Sequence, residues 1–156
     1  MFFREPKNNG IDCRLFGTII NANEECPYHD LLDMYIVELG LGEAVIEVPT
    51  QNEHLNPMGT VHGGVTFSLM DTVMGVAIRT LNCDSVTVEA NINYVKPVQK
   101  SDILTATGKV VNLGKKIIVT EGIVKNRAGE TIAVARGTYF NTGEYLAPSA
   151  FFTVEE

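Results

Sequence analysis

At 156 residues, 45% hydrophobic and 20% charged, the chain has the size and composition of one globular domain, which excludes disordered, collagen-like and low-complexity architectures. Twelve basic against nineteen acidic side chains give a formal net charge of −7, which argues against nucleic-acid binding and makes small molecules the expected partners. Three widely spaced cysteines, Cys13, Cys26 and Cys83, fit neither a disulfide framework nor a zinc site, and with no signal-peptide core or bilayer-length apolar run the expectation is a cytoplasmic protein that binds no membrane and no metal.

Residues 1–25 read as a loosely patterned arm of unknown role, ahead of a single domain over 26–142 and a tail over 143–156. Pro27 to Leu32 suits a short helix, and Met34 to Leu39 follows it. After Gly40-Leu41-Gly42, Glu43 to Val48 alternates as a half-buried strand should, and Pro49 ends it. A long helix is predicted from near His62 to about Leu81, with Val65, Leu69, Val73 and Val76 on a common stripe. Only Asp71 and Arg79 are charged between residues 63 and 81, so a sheet should cover one side of this helix and something else the other. From Ser85 the period switches to two, placing Val86, Val88, Ala90, Ile92 and Tyr94 on one face and Thr87, Glu89, Asn91 and Asn93 on the other. Pro97 breaks that strand. Ile103 to Val111, Ile117 to Val124 and Ile132 to Phe140 follow, separated by the turn sequences Asn112-Leu113-Gly114 and Asn126-Arg127-Ala128-Gly129, and the series reads as an antiparallel meander. The class is α+β, with the helix on one face of the sheet. A single sheet cannot cover an apolar helix on all sides, so a two-fold dimer is expected.

The start of the long helix is the first place to look for chemistry. Within Asn56-Pro57-Met58-Gly59-Thr60-Val61-His62-Gly63-Gly64, the paired glycines let a ligand approach the backbone. Unpaired amide N–H groups at the positive end of the helix dipole suit an anion or a developing oxyanion. The same glycines would also serve close helix packing, and the sequence leaves both roles open. Asp71 lies mid-helix, a poor position for aspartate, and Phe67, Ser68, Met74 and Gly75 within helical reach offer it no positive charge. It is therefore a candidate base or nucleophile, unless a backbone group or hydroxyl simply holds it in place. Eight residues at the helical rise of ~1.5 Å put Gly63 and Asp71 about 12 Å apart. One carbonyl cannot meet both within one subunit, but antiparallel helices across a dimer axis would bring the Gly63 of one beside the Asp71 of the other. Charge is also uneven, since residues 96–136 hold eight of the basic side chains and three of the acidic ones. That segment makes either a local field for an anionic ligand or ordinary solvated strand edges.

The run from Asn56 to Asp71, Asn-Pro-Met-Gly-Thr-Val-His-Gly-Gly-Val-Thr-Phe-Ser-Leu-Met-Asp, resembles the signature of hotdog-fold acyl-CoA thioesterases of the phenylacetate-degradation type. The likeness extends from about Pro27 to Phe140, through the strand Val86 to Tyr94, the Lys96-Pro97 break and Ala133-Val134-Ala135-Arg136-Gly137. It implies a sheet wrapped around a central helix, dimers that pair into tetramers, and an acyl-CoA substrate, with coenzyme A as part of the substrate and no further cofactor. It implies that Gly63 donates its backbone N–H to the thioester carbonyl and that Asp71 of the other subunit activates water or attacks directly. Asn56 would orient the carbonyl or the water, unless it only forms the turn, and His62 would shape the loop and bind substrate, unless it is purely structural. Thr87 matches a position where relatives place a hydroxyl that assists the carboxylate, although the simple alternation sets it on the polar face of its strand. Gly64, the Gly114-Lys115-Lys116 turn and Arg136 would contact the coenzyme A portion. At Asp33 the chain departs from the glycine that many relatives carry after the Leu-Leu pair.

The resemblance leads to hydrolysis of an aryl- or fatty-acyl-CoA to the free acid and coenzyme A. A non-catalytic acyl-CoA-binding protein is the first alternative, and Asp71 and Asn56 count against it. A hotdog hydratase or dehydratase is the second, and the placement of His62 in the glycine loop counts against that.

Overall fold

The computed structural model describes residues 5–146. Seven strands form one sheet in the order β1-β2-β3-β5-β6-β7-β4, made of β1 (Lys7–Asn9), β2 (Tyr35–Gly40), β3 (Glu43–Pro49), β4 (Ser85–Tyr94), β5 (Ile103–Leu113), β6 (Ile117–Lys125) and β7 (Thr131–Asn141). All neighbours are antiparallel except β1, which lies parallel to β2. Helix α1 (Cys13–Glu24) and the short α2 (Pro27–Leu31) precede β2, and α3 (Gly63–Arg79) packs on the face of the sheet formed by β3 to β7. No helix among the described residues is long and apolar enough to cross a membrane.

The meander expected after Pro97 holds for β5, β6 and β7, but β4 is not part of it. It pairs with β7, at the far edge of the sheet. The connection from β3 runs through α3, which at 17 residues is about 26 Å long. The four inter-strand spacings from β3 to β4 add up to only about 19 Å. The helix is long enough to deliver the chain to the opposite edge, from which the loop after Tyr94 returns it to the middle.

Small residues decide how closely α3 can approach. Ala44, Gly108, Gly122 and Ala135 are register partners in series across β3, β5, β6 and β7. A Cβ on Gly108 would lie 2.5 Å from the Val73 carbonyl oxygen, and one on Gly122 would lie 2.4 Å from the Met70 sulfur. Into this groove α3 buries Leu69, Met70, Val73, Met74, Ala77 and Ile78, opposite Ile46, Val48, Leu104 and Ile118. The C-terminal end of the helix is fixed by Thr80, whose Oγ1 accepts from the Gly42 N–H at 2.8 Å, tying it to the β2–β3 turn.

Over its described residues, 5–25, the segment read as a loose arm is instead structured. Asp12 caps α1 by accepting from the Arg14 and Leu15 amides at 2.9 and 3.1 Å, and Ile11, Leu15 and Ile19 join the main core. Its stripe of two leading apolar residues four apart is narrower than the ordinary amphipathic face, and Asn23, the third buried position, hides the repeat behind a polar residue.

The groove yields a stability prediction. Gly108→Ala should destabilise the protein by about 3 kcal/mol, the upper range for overpacking, because backbone rather than a flexible side chain stands in the way; urea unfolding of the two proteins measures the difference.

Candidate active site

The entry to α3 is built by its own loop. Asn56 folds this loop over itself, its Oδ1 accepting from the Met58 and Thr60 amides at 2.9 and 3.2 Å while its Nδ2 donates to Thr60 Oγ1 at 2.8 Å. The His62 N–H donates to the His54 carbonyl at 2.7 Å and the Val61 N–H to the Val98 carbonyl at 2.8 Å. His62 is then the N-cap, with Nδ1 accepting from the Gly64 N–H at 2.8 Å. Gly63 is the first helical residue, so its own N–H has no partner within the helix, and none occurs among the described residues. The Tyr94 hydroxyl donates to the Gly63 carbonyl at 2.9 Å, fixing the adjoining peptide. The result is one free, oriented amide donor at the positive end of a 17-residue helix.

Two turns further on, Asp71 is held by two hydroxyls. Thr87 Oγ1 and the Tyr139 hydroxyl both donate to its Oδ1, at 3.0 and 3.1 Å, and the Tyr139 hydroxyl also lies 3.0 Å from the Asp71 carbonyl oxygen. Its Oδ2 has no hydrogen-bond donor among the described residues. Burial, followed by the Asp71 charge, pushes the Tyr139 phenol far above the usual tyrosine range. It therefore stays a protonated donor at any working pH.

The expected strand alternation misplaced Thr87. A β-bulge lies between Thr87 and Glu89, so Thr87 pairs with the inward-facing Tyr139 while Glu89 pairs with Thr138. The extra residue, Val88, shifts the phase by one, and Thr87 comes to face the helix together with Ala90 and Ile92. Tyr139 is the residue that sequence reasoning missed. Its signal is present in β7, where the helix-facing series Ala133, Ala135, Gly137 is small throughout and then ends in a single hydroxylated aromatic ring.

The remaining candidates divide between the two faces of the sheet. The Gly114-Lys115-Lys116 turn caps the β5–β6 hairpin, where the Lys116 carbonyl accepts from the Asn141 N–H at 2.8 Å. The row Ile117, Phe140, Val86 adjoins the row Ile118, Tyr139, Thr87, so the turn lies at the Asp71 end of the sheet. Neither lysine forms an ion pair among the described residues. Arg136 is not brought to this site. It is exposed, neighbours Glu121 and Asn91 in register, and bonds the Glu121 carboxylate at 3.3 Å on the face away from α3. Lys96 and Lys109 are likewise paired, with Glu130 and Glu43, so part of the basic segment is neutralised locally.

Comparison with known proteins matches these features. The model of the thioesterase superfamily matches residues 58–133. A putative esterase of Archaeoglobus fulgidus is 36% identical over 121 residues, covering 78% of this chain and 79% of the relative. The chain belongs to the thioesterase superfamily. Within it, the Escherichia coli acyl-coenzyme A thioesterase PaaI is 30% identical over 76% of this chain and 85% of its own, and the solved structure of the E. coli PaaI protein superposes with a TM-score of 0.82 at 26% identity, covering 87% of this chain and 99% of that one. The sheet and central helix are thus the hotdog fold of these enzymes. A hypothetical thioesterase of Streptococcus pneumoniae, solved with coenzyme A, is 32% identical with a TM-score of 0.70, covering 72% of this chain and 90% of that one. Two mutant structures of that protein replace an aspartate and a threonine sixteen positions apart by alanine, the spacing of Asp71 and Thr87 here.

Tyr139→Phe removes one donor from Asp71 at little change in volume. Thioester turnover is expected to fall about tenfold with KM nearly unchanged, the pattern of a group that aims the acid rather than binds substrate. Because the folded phenol stays protonated while the unfolded one ionises near pH 10, stability should fall as pH rises above about 10. Urea titrations at pH 8 and 10.5 should show a smaller loss for Tyr139→Phe than for the unaltered protein.

Proposed function

We propose that this protein hydrolyses the thioester bond of an aryl- or fatty-acyl-CoA to the free acid and coenzyme A, at a site shared between two subunits. The observation that carries the reading is the pair of unused groups on one helix: a free Gly63 N–H at its start and a free Asp71 Oδ2 two turns on. They lie about 12 Å apart along the axis, so the N-terminus of one α3 would meet Asp71 of a second copy. The exposed surface around Asp71 supports such pairing. Phe67 on α3 and Val86, Val88 and Tyr94 on β4 are open to solvent, and β4 is the terminal strand of the sheet.

In this mechanism the thioester oxygen accepts from Gly63 N–H, which stabilises the negative charge that develops as the carbonyl carbon becomes tetrahedral. Asp71 Oδ2 of the other subunit either takes a proton from water as the water attacks, passing it to the thiolate of coenzyme A as the C–S bond breaks, or attacks the carbon itself, in which case coenzyme A leaves as the thiolate and water then cleaves the resulting mixed anhydride, releasing the acid, restoring the carboxylate and supplying the thiolate's proton. Thr87 and Tyr139 keep Oδ1 occupied and so aim Oδ2. The second Nδ2 hydrogen of Asn56, beyond the one given to Thr60, orients the water, and His62 Nε2 faces the substrate. Lys115 and Lys116 meet the phosphates of coenzyme A as mobile point charges. Arg136, on the opposite face, has no part in it. The coenzyme A complex of the streptococcal relative and its aspartate and threonine replacements support these assignments. Tetramers formed from two dimers and a cytoplasmic location complete the reading.

Asp71→Asn should lower hydrolysis of phenylacetyl-CoA and of medium-chain acyl-CoA at least about 10²-fold, as followed by thiol release. Gly63→Pro removes the N–H at a position where proline is tolerated in a helix, and since any Cβ there meets the Tyr94 ring at 3.3 Å, Gly63→Ala, which keeps the N–H, is its control; a loss of about 10²-fold in kcat beyond that of Gly63→Ala is expected. Mixing the two inactive variants under conditions of subunit exchange should restore activity if the site is shared. No recovery in confirmed mixed dimers rules the shared site out.

A further inference from the structure

Between β3 and α3 the chain makes a small hairpin with His54 at its base. Leu55 and Val61 pair as an antiparallel bridge, the Asn56 N–H donates to the Thr60 carbonyl at 2.8 Å, and the His62 N–H donates to the His54 carbonyl at 2.7 Å. The last of these rungs lies one residue from the Gly63 amide. His62 is thereby held on both sides of its Cα, by that bond and by its own Nδ1 on the Gly64 N–H at 2.8 Å. The peptide that carries the free Gly63 N–H spans the interval between these two anchors, so its direction depends on where the His54 carbonyl stands.

The His54 side chain holds that carbonyl in place. The residue is 3% exposed, and its Nδ1 accepts from the Gln51 N–H at 3.2 Å. An N–H that donates to Nδ1 requires a lone pair there, so the neutral ring carries its hydrogen on Nε2. In return the Gln51 side chain accepts from the His54 N–H, which closes a reciprocal capping box around the single 3-10 turn Asn52–His54. Gln51 Nε2 also donates to Asp33 Oδ2, and the Tyr35 hydroxyl donates to Asp33 Oδ1 at 3.3 Å. Asp33 keeps a positive φ of 52°, a conformation that glycine adopts with less strain.

We infer that His54 is a positioning residue for hydrolysis: its imidazole, braced by Gln51 and through it by Asp33, fixes the carbonyl that holds His62 and so aims the Gly63 N–H at the thioester oxygen. The inference rests on the thioesterase reading, because it concerns the donor which that reading uses. His54 itself touches no reacting atom. A donor stabilises a developing oxyanion only when its direction is set beforehand. A loosened anchor therefore lowers kcat and leaves KM nearly as it was.

Three variants separate this role from simple packing. His54→Asn keeps an acceptor at the same bond distance from the main chain as Nδ1, His54→Gln moves the amide one atom further out, and His54→Leu removes the acceptor. With thiol release from phenylacetyl-CoA as the assay, kcat should fall about tenfold in His54→Leu and His54→Gln, the scale of one buried hydrogen bond, and recover to within about threefold in His54→Asn, with KM within about twofold throughout. In protein carrying isotope-labelled glycine, the Gly63 amide resonance should shift in His54→Leu and His54→Gln and return in His54→Asn. Should the first two fail to fold, Asp33→Gly carries the comparison, because it favours its own backbone: kcat should fall about threefold at an unchanged melting temperature. Equal kcat in His54→Asn and His54→Gln, a KM that changes in step with kcat, unchanged kcat in Asp33→Gly, or an unmoved Gly63 resonance overturns the inference. An unaltered protein that hydrolyses no acyl-CoA overturns the thioesterase reading instead, and the glycine spectra then decide by themselves whether His54 sets the Gly63 amide.

Discussion

The close approach of α3 to the sheet at Gly108 is the contact on which the rest of the molecule depends. With no side chain there, the strand backbone lies directly beneath the Val73 carbonyl, and the neighbouring Gly122 receives Met70. A helix held this tightly cannot slide or rotate without creating clashes on several strands at once, because cores are close-packed. Both candidate groups on α3 inherit that rigidity. The amide at its start and the carboxylate two turns on keep a fixed separation and a fixed facing.

Rigidity alone would not aim a carboxylate, whose side chain can still rotate. The sheet does this with two hydroxyls from adjacent strands. Tyr139 grips both the main chain and the side chain of Asp71, so its ring ties the acid to the helix that carries it. Thr87 reaches the same oxygen because of the bulge at Val88. Bulges recur near active sites for this reason, since one extra residue turns a side chain to the other face while the strand keeps its place in the sheet. The division of labour between the two oxygens follows, one held by hydroxyls and the other free for chemistry.

The two edges of the sheet are managed in opposite ways. At one, β1 pairs with β2, and α1 closes over the core with Ile11, Leu15 and Ile19. At the other, β4 ends the sheet with exposed Val86 and Val88. A free strand edge with apolar side chains invites pairing, and here it borders the acid. The open edge, unlike the closed one, leaves apolar surface uncovered beside Asp71.

Much of this was legible in the residues themselves. The long helix from near His62, the strands from Glu43 onward and the isolation of Asp71 among apolar neighbours follow from periodicities of 3.6 and 2 that local geometry imposes. The glycine pair after His62 marks the helix start because backbone donors there have no partner. Strand order, by contrast, depends on how far α3 carries the chain, and so β4 lies against β7 rather than β5. The α1 helix stayed hidden because its third buried position is the polar Asn23. Thr87 was assigned to the wrong face because a bulge leaves no mark on an alternating pattern, and Tyr139 was missed because its partner lies 68 residues away. The sequence by itself determined which groups the protein owns and which elements carry them. The tertiary structure alone decided which of those groups meet, because contacts across a sheet depend on register and crossover, and neither is encoded in the spacing of neighbours along the chain.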